Sequence, residues 1–133
     1  KLADPDANMI LSEIISKEPL GPAVRQGDPQ WENIARWTLN ALLEAEELGV
    51  TSENLDEMLK SENPRVKRLL GLEGAYGSTM GISNDWAANA IRAVGNYGEM
   101  FERNVGKATP LGIERGLNAL WTNGGLQYAP PVR

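Results

Sequence analysis

The strongest structural pattern in this chain is residues 28–49, DPQWENIARWTLNALLEAEELG. Asp28 suits the N-cap of a helix, Pro29 suits its first turn, and Gly49 suits the position just past its end. Polar residues recur at helical spacing on one face: Asn33, Arg36, Asn40, Glu44 and Glu47. The opposite face carries Trp31, Ile34, Ala35, Thr38, Leu42, Ala45 and Leu48. Because neighbouring apolar residues widen this arc well beyond a narrow stripe, the pattern predicts a long helix packed on more than one side.

Shorter helices are predicted along the rest of the chain from capping residues and apolar periodicity. They cover residues 51–60, 63–71, 84–94, 96–105 and 109–121, with a glycine-rich loop at 71–81. Short extended pieces are predicted at 9–11 and 14–15 from their β-branched residues. Residues 17–25 should also be extended, because Pro19 and Pro22 oppose a helix there. The sequence alone thus predicts a mainly α chain with one or two short extended segments near its start.

The extended segments would need strand partners that this chain hardly supplies, which suggests that sequence is missing. The 133 residues are 41% hydrophobic and 23% charged, as in an ordinary globular protein. Their net charge of −5 and scattered basic residues argue against a nucleic-acid or anionic-membrane surface. With no cysteine and no histidine, the chain cannot hold a Cys/His zinc site, a thiol nucleophile or a catalytic histidine.

Three polar features could carry chemistry, and each has a simpler structural interpretation. The glycine-rich loop 71–81 matches neither phosphate-binding pattern and contains Glu73, so a surface loop is favoured. Glu44 and Glu47 share a helix face while Glu46 does not, and nothing in the sequence would raise their pKa values for acid–base catalysis. Residues 52–57 lack the central glycine of a calcium loop and are better explained as a capped helix start.

The aromatic residues are expected to be mainly structural. Trp31 and Trp86 fall on predicted core faces, whereas Tyr128 lies where no periodicity constrains it. The residues therefore predict no catalytic group, no metal site and no cofactor, and the chain is not expected to be an enzyme.

Four stretches carry a resemblance to a known family. They are residues 17–28 (KEPLGPAVRQGD), the segment 36–49, residues 94–106 (VGNYGEMFERNVG) and residues 117–131 (LNALWTNGGLQYAPP). Together they resemble the C-terminal part of the periplasmic (type II) amino-acid-binding proteins of polar and general L-amino-acid ABC transporters. The resemblance implies an α/β periplasmic-binding-protein fold of two lobes as the parent fold.

The resemblance also implies how this chain is divided. Residues 1–16 would end the second lobe, residues 17–27 would cross back through the hinge, and residues 28–133 would complete the first lobe with a helical extension. The hinge itself would comprise Glu18, Pro19, Leu20 and Gly21.

For the full-length protein the resemblance implies an L-amino acid bound in the cleft, burial of this ligand by hinge closure, and docking on ABC permease subunits in the periplasm. The ligand-binding residues are expected upstream of Lys1, and none is assigned within this chain. If the chain starts at Lys1, helix faces meant for a missing sheet would be exposed, so the fragment should self-associate or bind its missing half. The alternative is a stand-alone helical protein-interaction domain, which would explain the helix count and the lack of catalytic residues.

Overall fold

The longest helix of the chain begins and ends where its capping residues predict. The computed structural model describes residues 4, 7–9, 11, 13, 16 and 20–133. Helix α1 spans Pro29–Glu47, and the Asp28 carboxylate accepts a hydrogen bond from the Trp31 amide at 3.0 Å. After Leu48, Gly49 has a φ of +68°, the left-handed conformation that ends a helix at low cost for glycine. Local capping chemistry therefore sets both ends of α1.

The remaining α-helices of residues 20–133 are short. They are α2 (Leu55–Met58), α3 (Pro64–Leu69), α4 (Tyr76–Thr79), α5 (Trp86–Val94) and α6 (Tyr97–Asn104). Asn63 caps α3 by accepting from the Arg65 amide at 2.9 Å. Asn96 caps α6 by accepting from the Glu99 amide at 3.0 Å, and the Glu99 carboxylate accepts from the Asn96 amide at 2.7 Å. The prediction of a mainly α chain is confirmed, and no membrane-spanning helix is found among the described residues.

The main core lies where α1 crosses α3 and α5. Small residues, Ala41 and Ala45 on α1 and Ala87 and Ala88 on α5, allow the two helices to approach closely. Larger apolar side chains fill the remaining space, and those that are essentially fully buried are Val50, Leu55, Leu69, Leu70 and Ile91. Val132, near the end of the chain, also belongs to this core.

A second, smaller cluster lies on another side of α1. It joins Leu43 of α1 to Leu120 and Ala129, with Leu39 and Tyr97 packed against it. The prediction that α1 is packed on more than one side is therefore confirmed for its C-terminal half. Its N-terminal half differs, since none of its side chains before Ala41 is buried and Trp31 remains 53% exposed. Contrary to the prediction of a core position, Trp31 lies outside the core formed by the described residues, because the side chains of the main core begin further along the helix.

Two predictions about loops and helices need correction. The loop predicted at 71–81 contains the helical turn α4, in which Gly77 is buried. A Cβ atom on Gly77 would lie 2.1 Å from the Ser83 carbonyl oxygen, so only glycine fits. The helix predicted at 109–121 is replaced by 3-10 turns at Gly116–Asn118 and Trp121–Asn123. Gly112 and Gly116 have φ values of +58° and +46°, which a right-handed helix does not allow.

The extended segments predicted near the start fall largely outside the described residues. Ile10, Ile14 and Ile15 are not described, and of residues 17–25 the structure describes 20–25, which contain no helix. Among the described residues the β-pairing consists of an isolated bridge between Leu120 and Gln127.

Candidate functional site

The predicted hinge is only partly described. Glu18 and Pro19 lie outside the described residues, while Leu20 is 92% exposed and Gly21 has no heavy atom within 4 Å of the place where a Cβ would be. Immediately afterwards, Pro22 and Val24 line a cleft against α1. The segment after the predicted hinge thus runs beside α1, and its role as a hinge stays a prediction.

Near the end of α1, the three glutamates Glu44, Glu46 and Glu47 each bond to another segment of the chain. Glu44 is 2% exposed and accepts a hydrogen bond from the Val132 amide at 2.7 Å. Its other oxygen lies 3.5 Å from the Arg65 guanidinium, which approaches Glu47 more closely, at 2.9 Å. Glu46 turns to another partner, Arg115. These carboxylates therefore attach α3 and the C-terminal segment to α1.

Burial raises the pKa of Glu44, against the hydrogen bond from Val132 and the charge of Arg65, which lower it. The expectation that nothing would raise a pKa in this cluster is wrong. The sequence places Glu44 on the polar face of α1, where Arg65 of α3 and the returning chain end at Val132 contact it. A raised pKa is common at active sites, but the contacts of Glu44 join the Val132 amide and Arg65 to α1, and these contacts have a structural role.

Arg115 fixes the C-terminal region to two helices. Its guanidinium makes two contacts with the Glu46 carboxylate, at 2.9 Å and 3.1 Å. It also lies over the rings of Tyr97 and Phe101, with its central carbon 5.5 Å and 5.2 Å from their centroids. The same side chain donates to the Asn118 carbonyl oxygen at 2.9 Å. The planar guanidinium of arginine can contact a carboxylate, two aromatic rings and a carbonyl oxygen at once. The ammonium group of lysine could not make all of these contacts.

An apolar cleft lies between α1, α4 and α5. Trp37, Tyr76, Met80 and Trp86 line it, together with the chain end at Val132, and its volume is about 180 Å³. This is smaller than the roughly 300–1,000 Å³ typical of ligand pockets, and apart from Thr79 and Arg133 its lining is aromatic or aliphatic. We assign no ligand to it.

The other features singled out in the sequence have structural roles. In the stretch 52–57, the Asn54 side chain accepts a hydrogen bond from the Thr51 amide at 2.8 Å, and the Asn54 amide donates to the Thr51 hydroxyl at 3.1 Å. Asp56 pairs with Arg92 at 3.1 Å. The carboxylates of that stretch do not converge, and the described part of the chain contains no cluster of three metal-ligating residues. In the glycine-rich loop, the Ser78 amide is already occupied by Asn84 at 2.9 Å.

The sequence patterns did not predict the exposed, uncharged surface formed by residues 116–132. From Gly116 to Val132 the chain contains no Asp, Glu, Lys or Arg, although 23% of the whole chain is charged. Large side chains of this stretch stay exposed: Leu117 (55%), Trp121 (53%), Leu126 (71%) and Tyr128 (66%). The run without charge is visible in the sequence, but only the structure shows that its large side chains point outward.

Comparison with known proteins gives the family. The chain is 63% identical, over 99% of its length, to the general L-amino acid-binding periplasmic protein AapJ of Rhizobium johnstonii. It is 59% identical, over 94% of its length, to the glutamate/glutamine/aspartate/asparagine-binding protein BztA of Rhodobacter capsulatus. This chain is a homologue of part of the periplasmic amino-acid-binding proteins of ABC transporters. The resemblance stated from the sequence is confirmed.

The fold agrees with the same family. An ABC transporter periplasmic binding protein from Brucella ovis, solved with glutathione bound, superposes with a TM-score of 0.92 at 58% identity over 99% of this chain. The chain spans 39% of the length of AapJ, 37% of BztA and 42% of the Brucella chain. A mainly helical chain is therefore consistent with part of a type II periplasmic-binding-protein fold. No family model matches the chain.

Proposed function

We propose that this chain is the C-terminal part of the substrate-binding subunit of an amino-acid ABC importer. The subunit binds an L-amino acid between two lobes in the periplasm and delivers it to the permease. The observation that carries the proposal is homology along the whole chain, at 59–63% identity, to relatives named for amino-acid binding. No enzymatic activity is part of the proposal.

The partial exposure of one face of α1 is evidence for a larger parent fold. On one side of α1 the residues 31, 35, 39 and 43 follow one another at a spacing of four, so they form a continuous stripe. Leu43 is buried in the second cluster and Leu39 packs partly against it. Ala35 is half-buried and Trp31 is 53% exposed. A stripe covered at one end and open at the other is what we expect of a helix that completes its packing on a sheet supplied by the rest of the first lobe.

In this proposal the chain contributes support and the hinge, while the residues that touch the amino acid lie in the rest of the protein. Residues 1–16 end the second lobe, 17–27 cross through the hinge at Glu18, Pro19, Leu20 and Gly21, and 28–133 complete the first lobe. The stand-alone interaction domain is disfavoured because each of these relatives is more than twice as long as the aligned region.

The decisive experiment is a chimera in which this chain replaces the matching part of Rhizobium AapJ. Isothermal titration calorimetry with L-amino acids and with glutathione should show binding to the chimera. The 133-residue chain alone is the matched control, and it should bind none of these ligands. A folded chimera without amino-acid binding, beside an AapJ sample that binds, would contradict the proposal. Binding by the isolated chain would contradict the placement of the ligand residues elsewhere.

A further inference from the structure

Residues 117–128 form a compact, uncharged projection, which we call the uncharged knob. Its backbone is tied to itself: the Leu126 amide donates to the Leu117 carbonyl at 2.8 Å, and the Trp121 amide donates to the Gln127 carbonyl at 2.9 Å. The Gly125 amide donates to the Leu120 carbonyl at 3.0 Å. These hydrogen bonds fix the backbone from which the exposed side chains of the knob project.

The knob is also anchored firmly to α1. Leu120, only 4% exposed, packs with Leu43 of α1 in the second cluster. The Trp121 indole N–H approaches the Glu47 carboxylate at 3.4 Å, and the Trp121 ring meets the Tyr128 ring edge-on with centroids 6.0 Å apart. The contacts of Trp121 with Glu47 and Tyr128 restrict both rings, so a partner would lose less conformational entropy in binding these two residues.

The chemistry of the knob is that of the centre of a protein interface. Such centres are depleted of charged residues and enriched in aromatic ones, as in this knob. Anchor residues in interfaces are often Trp and Tyr with ordered neighbours. The exposed Leu117 and Leu126 add aliphatic surface beside the two rings. The knob thus matches an apolar protein surface and offers no charge for an ionic ligand.

The size of this surface indicates which partner covers it. Four large side chains, each somewhat more than half exposed, present on the order of 400–500 Å² of apolar surface. A stable complex of separate proteins needs about 800 Å² from each partner. A smaller patch suffices when both surfaces belong to one chain, since tethering gives an effective concentration in the millimolar range. The homologues contain a large amount of such tethered chain, because the matched part is only 39% of AapJ.

We propose that the uncharged knob is an internal docking surface, covered in the full-length protein by the part of the first lobe that precedes this chain. The second cluster makes the knob continuous with the open stripe of α1, through Leu39 and Leu43. One stretch of the lobe can therefore cover both. This inference rests on the proposed function, since it requires the longer protein.

The test compares thiol labelling of Leu126→Cys in the 133-residue chain and in the AapJ chimera. The chain has no native cysteine, so the label at this position can be followed by peptide mass mapping. Labelling should be at least about tenfold slower in the chimera, as expected for a buried thiol. Glu57→Cys, exposed on α2, is the matched control and should label at the same rate in both proteins.

A second variant covers the case in which cysteine perturbs the site. Leu126→Asp should leave the melting temperature of the 133-residue chain unchanged and lower that of the chimera. Equal labelling rates in the two proteins, together with no change in the melting temperature of the chimera on Leu126→Asp, would overturn the inference. The knob would then be left to an external partner, such as a permease or a second copy. Amino-acid titration of the same chimera is a separate measurement, so failure of the proposed function and failure of this inference give different results.

Discussion

Replacing Gly125 by alanine should destabilise the chain through one defined steric conflict. The added Cβ would lie 1.8 Å from the Ala119 carbonyl oxygen. Restoring an ordinary contact requires the two segments to separate by about 1.6 Å, which the hydrogen bonds between them cannot tolerate. The bonds at risk are those from the Gly125 amide to Leu120, at 3.0 Å, and from the Gln127 amide to Ala119, at 3.1 Å.

The magnitude follows from these losses. Two backbone hydrogen bonds contribute about 1–3 kcal/mol together, and the steric strain adds about 1–3 kcal/mol. The reduced entropy of the unfolded chain returns about 0.4–1 kcal/mol. We therefore expect Gly125→Ala to lower the free energy of unfolding by about 1–5 kcal/mol, which for a chain of this size is a fall in Tm of roughly 4–20 °C.

Urea and thermal unfolding followed by circular dichroism measure this change. Gly21→Ala is the matched control, since no heavy atom lies within 4 Å of a Cβ at position 21 and its φ is not positive. That variant should stay within about 0.5 kcal/mol of the parent, as most surface substitutions do. If Gly125→Ala were as stable as Gly21→Ala, the close approach of residues 119 and 125 would be refuted, and with it the rigidity of the uncharged knob.

Three further changes test the contacts around α1. Because burial raises the pKa of Glu44, the folded state binds a proton at this carboxyl more tightly than the unfolded state does. Protonated Glu44 therefore stabilises the fold at a pH below its pKa in the unfolded chain, and this stabilisation is lost as the pH rises through its pKa in the folded chain. Glu44→Gln should gain stability relative to the parent as pH rises in urea-melt series, and a difference independent of pH would contradict the raised pKa. Asn96→Ala removes a cap and a buried bond of 2.8 Å to the Val50 carbonyl, so denaturant melts should show a loss of about 2–3 kcal/mol; equal loss for the exposed Asn104→Ala would argue against it. Arg115→Lys keeps the charge but not the planar contacts, and a loss of about 1–2 kcal/mol is expected by thermal melting; no change would show that charge alone matters.

The hydrogen bonds at the helix ends explain why several helices could be predicted from the sequence. The starts of α1, α3 and α6 depend on Asp28, Asn63 and Asn96, whose side chains bond to amides two or three residues away. Gly49 and Gly95 end helices with positive φ values. All of these interactions lie within one turn of the chain, so sequence neighbours suffice to specify them.

The candidate site was less predictable, since its contacts join residues far apart in the chain. The hydrogen bond that helps to bury Glu44 links it to Val132, and the contacts that fix Arg115 reach back to Glu46. Sequence periodicity placed Glu44 on the polar face and Trp31 on the apolar face of α1, yet in this chain Glu44 is buried and Trp31 is 53% exposed. Periodicity reports which face of a helix is apolar, but it does not report which part of the helix another element covers.

The sequence by itself determined the family, the helical character of the chain and the local ends of most helices. These depend on long motifs, on caps and on glycines, all of which act within a few residues. Only the tertiary structure decided that the chain end returns to α1 and that Glu44 is buried. It also decided that large side chains of the uncharged knob face outward, namely Leu117, Trp121, Leu126 and Tyr128. The physical reason is that burial depends on which distant segments meet, and that choice reflects the packing of the whole chain.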